Sequence, residues 1–173
     1  MLTLLLLRHA KSDWSTPGLD DHERPLNVRG TKAAPVMGRY INKKGLKPDL
    51  VLCSDSVRTQ ATLALVLPEL GPPPPQVIYD QALYLARPDT ILNVVHDNAG
   101  DQAKSVMVIS HNPGLHALAL TLVGDGDKKG LRQLAMKFPT AALAEITFDT
   151  GYWSEVAPTT GHLKSFVTPR EVA

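Results

Sequence analysis

One cysteine, Cys53, is the entire thiol content of this 173-residue chain. That excludes a disulfide framework and suits a reducing compartment. Charge of one sign is lacking too: 18 Lys and Arg stand against 17 Asp and Glu, a net +1 with His neutral. Such a balance fits neither a nucleic-acid-binding stripe nor a polybasic membrane patch, so any positive field must be local. No stretch approaches the ~20 apolar residues of a membrane-spanning helix. The run Leu2-Thr3-Leu4-Leu5-Leu6-Leu7 is short for a signal-peptide core, lacks a basic leader, and meets Arg8-His9 where a cleavage site would need small residues. A cytoplasmic location is expected, with no membrane and no nucleic acid as partner. Repeats are absent, and the Pro72–Pro75 run reads as a stiff linker inside a single domain spanning residues 1–173.

What is present is organised around that first apolar run. It has no helical periodicity, so it reads as a strand buried on both faces, and Arg8-His9 then stand at its carboxyl end. Chemistry in an open parallel sheet sits just outside the carboxyl ends of the strands. Two later strands end alike: Leu50 to Cys53, followed by Ser54 and Arg58, and Ser105 to Ser110, followed by His111. Gln76 to Tyr79 makes a further short strand.

Helices alternate with these strands. Asn27 caps one that presents Ala34, Met37, Gly38 and Ile41, with Pro35 kinking it or marking a late start at Thr31. Ser54 or Asp55 caps a second, with Val57, Ala61, Ala64 and Leu65 as its apolar face. Asp89 to His96 forms a third, with Asp89 at its N-cap. A fourth follows Asn112-Pro113, with Asn112 as N-cap and Pro113 at the first helical position. Lys11 to Arg24 reads as a loop over the site, Gly124 to Gly130 as an exposed turn, and Ala142–Phe148 with Tyr152–Val156 as a hairpin. The tail from Ala157 carries little pattern. The expected fold is therefore three-layer α/β/α, with a mainly parallel sheet and an antiparallel strand at an edge.

Arg8, His9, Arg58 and His111 come from three strand ends on one edge of this sheet. Two guanidiniums and two imidazoles, with no carboxylate in the set, describe a pocket for a dianion such as a phosphoryl group. Cys53 before Arg58 suggests a cysteine-dependent phosphatase, but such loops place five residues between the pair and use Gly; here four intervene and none is Gly. A metal held by His9 and His111 lacks a carboxylate ligand beside the cations, and no cofactor is implied.

Arg8-His9-Ala10 resembles the Arg-His-Gly signature of the histidine phosphatase superfamily, the group that includes the cofactor-dependent phosphoglycerate mutases. Similarity continues through Arg24-Pro25-Leu26-Asn27-Val28-Arg29-Gly30, Cys53-Ser54 with Arg58-Thr59-Gln60-Ala61-Thr62, and Ser110-His111-Asn112-Pro113-Gly114. The Arg-His-Ala-Lys-Ser start and the Arg-Pro-Leu segment look like the SixA-like phosphohistidine phosphatase branch. The departure is Ala10 for Gly, a small-for-small change.

The resemblance implies a phosphoglycerate mutase-like fold, His9 as a nucleophile forming a phosphohistidine, and Arg8, Arg58 and His111 holding the phosphoryl oxygens. It adds Ser54, as phosphate donor or helix cap, and Arg24 at the pocket rim. The superfamily's general acid follows the third strand, yet no Glu occurs from Tyr79 to Asp89, where Asp80 and Asp89 are the available acids. That lack favours a P–N substrate: phosphohistidine on a protein, such as a histidine phosphotransfer protein, or a small phosphoramidate. A broader phosphomonoesterase and a non-catalytic phosphohistidine-binding module are the other readings.

Overall fold

The computed structural model describes all 173 residues. Strand β1 (Leu2–Arg8) leads through a loop to α1 (Val28–Lys43), then β2 (Leu50–Ser54), α2 (Val57–Val66) and β3 (Gln76–Asp80). There follow α3 (Pro88–Ala99), β4 (Ser105–Ser110), α4 (Gly114–Leu122), β5 (Val123–Gly126), α5 (Lys128–Met136), β6 (Leu143–Phe148), β7 (Gly161–Val167) and the short α6 (Pro169–Val172).

The strands form one sheet in the order β3-β2-β4-β1-β6-β7-β5. Only β6 runs against the rest, pairing antiparallel with both β1 and β7. The antiparallel strand is thus present, but inside the sheet; the edges are β3 and β5. Alternation along β1 shows the layering. Leu2, Leu4 and Leu6 pack with α3, α4 and α5 through Ile91, Leu115 and Leu134, whereas Leu5 and Leu7 pack with α1 and α2 through Met37, Ile41 and Leu63. Both faces of β1 are covered, which is why its sequence is apolar at every position from Leu4 to Leu7.

Local chemistry fixes most boundaries. Asn27 caps α1 by accepting from the Gly30 N–H at 2.9 Å, and the helix runs through Pro35 without a late start. The cap of α2 is Ser56, not Ser54 or Asp55, and its buried face is Arg58, Thr59, Thr62, Leu63 and Val66. The expected face is rotated, because here the inward side carries the polar residues that serve the strand ends. Helix α3 starts at Pro88 after Arg87, with Asp89 in the first turn and not at the cap. Pro113 caps α4 in place of Asn112, whose amide donates instead to the Phe138 carbonyl at 2.9 Å.

Three C-terminal expectations are overturned. Residues 124–126 of the expected exposed turn belong to strand β5, made so by pairing with β7. Trp153–Glu155 is a single helical turn rather than a strand, pinned by the Trp153 indole donating to the Ala103 carbonyl at 2.6 Å. The partner of β6 is β7, in the tail that carries little pattern in the sequence. One glycine matters for the site: a Cβ on Gly114 would lie 1.7 Å from the Ala86 carbonyl oxygen, so the start of α4 can approach the 84–86 segment only without a side chain.

Candidate active site

Register places the first pair of residues. Strands β1 and β4 run parallel with Arg8 opposite Ser110, and the His9 N–H donates to the Ser110 carbonyl at 3.2 Å. His9 and His111, each one residue beyond, therefore lie side by side with ring centroids 5.3 Å apart. Arg58 arrives from the first turn of α2, just past the end of β2. The four residues expected to converge do converge, in a cleft of about 250 Å³ whose only apolar lining is Trp14 and Leu85.

His9 is held in a single tautomer. Its Nδ1–H donates to the Ala10 carbonyl at 2.7 Å, which leaves the free lone pair on Nε2. The Ala10 peptide is itself fixed, because its N–H donates to Thr62 Oγ1 at 3.0 Å and that hydroxyl donates to the Arg58 carbonyl at 2.8 Å. Burial, reinforced by the Arg8 and Arg58 charges, pushes His9 down to about 4. His111 falls to about 3 through burial, then its neighbours His9 and Arg58. Both rings are neutral at physiological pH.

Arg8 anchors one guanidinium nitrogen on the Phe138 carbonyl at 3.0 Å, while its buried Nε has no protein partner. Arg58 donates to the Asp21 carbonyl at 2.7 Å, to Asp21 Oδ2 at 3.0 Å and to His111 Nδ1 at 3.3 Å. With Nδ1 accepting, His111 Nε2–H donates to Ser54 Oγ at 2.8 Å. Ser54 is fully buried behind His111, outside the cleft lining, where it meets the imidazole; the helix cap is Ser56. Arg24 also stands behind the wall. Its guanidinium lies 3.7 Å from the Trp14 ring centroid and 3.6 Å from Asp21 Oδ1, steadying two residues that do face the cleft.

The sequence reading missed Asp21 and Tyr84. The set does contain a carboxylate: Asp21 lines the cleft and accepts from the Tyr84 hydroxyl as well as from Arg58. Those contacts hold it below the usual carboxylate range, Tyr84 contributing most. The acids Asp20, Asp21 and Glu23, all within the loop Lys11 to Arg24, were the available signal, but nothing in the chain order says which of them turns inward. Asp80 and Asp89 lie outside the cleft; Asp80 caps a turn through the Ala82 N–H, and Asp89 pairs with exposed Arg87. Cys53 is buried and its thiol pushed up to about 12, so no thiolate is available. No three His, Cys, Asp or Glu side chains converge to hold a metal ion.

The two neutral histidines carry a stability signature. An unfolded chain protonates histidine near ~6.5, whereas the folded chain resists protonation of His9 until about 4. Between those values the unfolded state binds more protons, so stability is fully present above pH ~6.5 and is lost as pH falls toward 4. Denaturant titrations across that window, with His9→Gln as comparison, are expected to show the loss and its reduction in the variant.

Comparison with known proteins agrees with this geometry. Residues 4–84 match the family model of the histidine phosphatase superfamily (branch 1). An uncharacterised protein of Mycobacterium tuberculosis is 33% identical over 166 residues, covering 95% of this chain and all of that protein. A 2,3-bisphosphoglycerate-dependent phosphoglycerate mutase of Rhizobium rhizogenes is 36% identical over 83 residues, 47% of this chain and 39% of that one. Among solved structures, the Agrobacterium tumefaciens protein assigned as phosphohistidine phosphatase SixA superposes with a TM-score of 0.80 at 27% identity, covering 97% of this chain and 98% of that one. A protein histidine phosphatase SixA complexed with tungstate shares the fold, with a TM-score of 0.78 at 20% identity over 99% of this chain and all of that one. No helix of this chain is long and apolar enough to cross a membrane. With its paired histidines and arginines gathered at the carboxyl edge of a phosphoglycerate mutase-like sheet, the chain belongs to the histidine phosphatase superfamily.

Proposed function

We propose that this phosphatase works through a phosphohistidine on His9 and that its preferred substrate is itself a phosphohistidine, carried on a protein or in a small phosphoramidate. The observation that carries the reading is the His9 imidazole, neutral and tied through Nδ1 to Ala10, beside Arg8, Arg58 and His111. In the first step His9 Nε2 forms a bond to phosphorus while the P–N bond of the substrate breaks. Arg8 and Arg58 stabilise the charge on the equatorial oxygens, and water then attacks the phosphoenzyme. The full-length likeness to the SixA protein of Agrobacterium tumefaciens supports the substrate class.

The acid inventory supports it as well. Asp80 and Asp89 lie away from the cleft, and Asp21 is ionised under Tyr84 and Arg58, so no group stands ready to protonate a departing alkoxide. General-acid assistance contributes ~10²–10⁴-fold where it operates. A substrate imidazole protonated on its other nitrogen leaves neutral without that help, and a low-pKa phenol comes close. The expected ranking is phosphohistidine first, activated aryl phosphates next, serine and sugar phosphates far behind. Measuring kcat/KM against leaving-group pKa across an aryl and alkyl series should give a steep slope. A flat slope would show that an acid operates and would give the broader phosphomonoesterase the better claim.

A further inference from the structure

We infer that Trp14 and Leu85 form an apolar grip on the leaving group and select phosphoryl groups carried on a flat ring, the imidazole of a phosphohistidine first among them. The inference rests on the His9 nucleophile and the substrate class proposed above, and it assigns two residues that chain order did not single out. An in-line displacement puts the leaving group on the far side of phosphorus from the attacking atom. His9 is buried, so that far side is the open end of the cleft. Trp14 and Leu85 stand there, lining the cleft while 69% and 52% exposed. They are its only apolar walls, and neither packs into the hydrophobic core on either face of the sheet.

Both side chains are held in place rather than left loose. The backbone before Trp14 is tied by the Asp13 N–H, which donates to the Pro25 carbonyl at 2.8 Å, and Asp13 Oδ1 accepts from the Ser15 N–H at 2.8 Å just beyond it. Arg24 lies over one face of the indole at 3.7 Å and donates to the Asp13 carbonyl at 3.3 Å, which leaves the other face open. Leu85 has φ at 48°, in the left-handed region that a bulky side chain rarely adopts. Its neighbours keep it there: Ser110 Oγ donates to the Leu83 carbonyl at 2.8 Å, and Gly114 lies against the Ala86 carbonyl. A strained, exposed leucine helps neither the backbone nor the core, so its apolar surface serves what enters the cleft. A flat ring covers both walls and gains an aromatic contact with Trp14. A serine or sugar leaving group brings polar atoms that lose water there without finding partners.

The test compares leaving groups with and without a ring. Substrates are the free amino acid phosphohistidine, 4-nitrophenyl phosphate, and the phosphoramidate ion, whose leaving group is ammonia. In Trp14→Ala the ratio of kcat/KM for either ring substrate to that for phosphoramidate should fall about 10-fold, chiefly through KM. Trp14→Phe keeps a ring and should recover most of that ratio. Leu85→Asn keeps a residue that tolerates the left-handed backbone and removes the apolar wall. Its Tm should stand at or above that of the wild type while the ring ratio falls severalfold. An unchanged ratio in Trp14→Ala, with all three substrates losing equally or none losing, overturns the grip. A lower Tm in Leu85→Asn with an unchanged ratio would place Leu85 in the service of the fold and overturn its part. A wild type that prefers 4-nitrophenyl phosphate to phosphohistidine would instead remove the substrate proposed above, whereas loss of the ring ratio in the variants would still assign the grip to these two side chains.

Discussion

His9→Ala is expected to abolish turnover, with kcat/KM falling on the order of 10⁴-fold or more, as when an essential nucleophile is removed. It should also eliminate the acid-labile phosphoenzyme formed from a phosphoramidate donor. The fold should survive, because the only side-chain hydrogen bond of His9 goes to the adjacent Ala10 carbonyl and none reaches another element. The cavity left behind is polar and opens to the cleft. Alkylating the thiol supplies the contrast: Cys53 is fully buried with its pKa pushed up to about 12, so reagent should leave activity largely intact. Mapping the phosphate by mass spectrometry decides the matter. A phosphoenzyme on His111 or Cys53, or one that persists in His9→Ala, would overturn the assignment.

The residues that made this prediction possible were legible before the fold was known, for a definite physical reason. Strands β1, β2 and β4 lie in the sheet interior with helices on both faces, so each carries a run of four apolar residues that ends in a polar one. Where such a run stops, the residue must face the carboxyl edge, and Arg8, His9 and His111 are found there. Helix α2 was misread for the complementary reason. Its buried side holds Arg58, Thr59 and Thr62, and these are satisfied by hydrogen bonds rather than by apolar contact. A search for an apolar stripe settles on the wrong side of such a helix.

Elsewhere the missing information lies in tertiary pairing. The four residues of β5, Val-Gly-Asp-Gly, have no strand character of their own, and β7 alone draws them into the sheet. In β7, Leu163 and Phe166 are buried, but a register shift opposite Glu145 and Ile146 breaks the simple alternation that betrays a half-buried strand. Asp21 is the functional counterpart of these cases. Among Asp20, Asp21 and Glu23, only the folded loop decides which acid meets Arg58, a residue 37 positions further along the chain. Tyr84 was equally silent, since its meaning depends on the same encounter.

Arg58 is where these threads meet, and its removal is the other large effect expected. Arg58→Ala deletes donors to the Asp21 backbone, to the Asp21 carboxylate and to His111 Nδ1. It also removes a residue that is only 4% exposed and that lines the cleft proposed to take the phosphoryl group. Losing one preorganised donor at a developing charge costs ~10²–10³-fold. Arg58 additionally orders its neighbours, so kcat/KM should fall by about 10³-fold or more. Competitive inhibition by vanadate and phosphate should weaken in parallel, because both need the same fork of donors. Arg58→Lys tests whether charge alone suffices. A lysine restores a point charge but cannot hold Asp21 at two atoms while meeting His111, so recovery should be partial. Thermal melts of the two variants separate loss of the site from loss of the fold. If Arg58→Ala stays within severalfold of the wild type and still binds vanadate normally, the phosphoryl group sits elsewhere in the cleft.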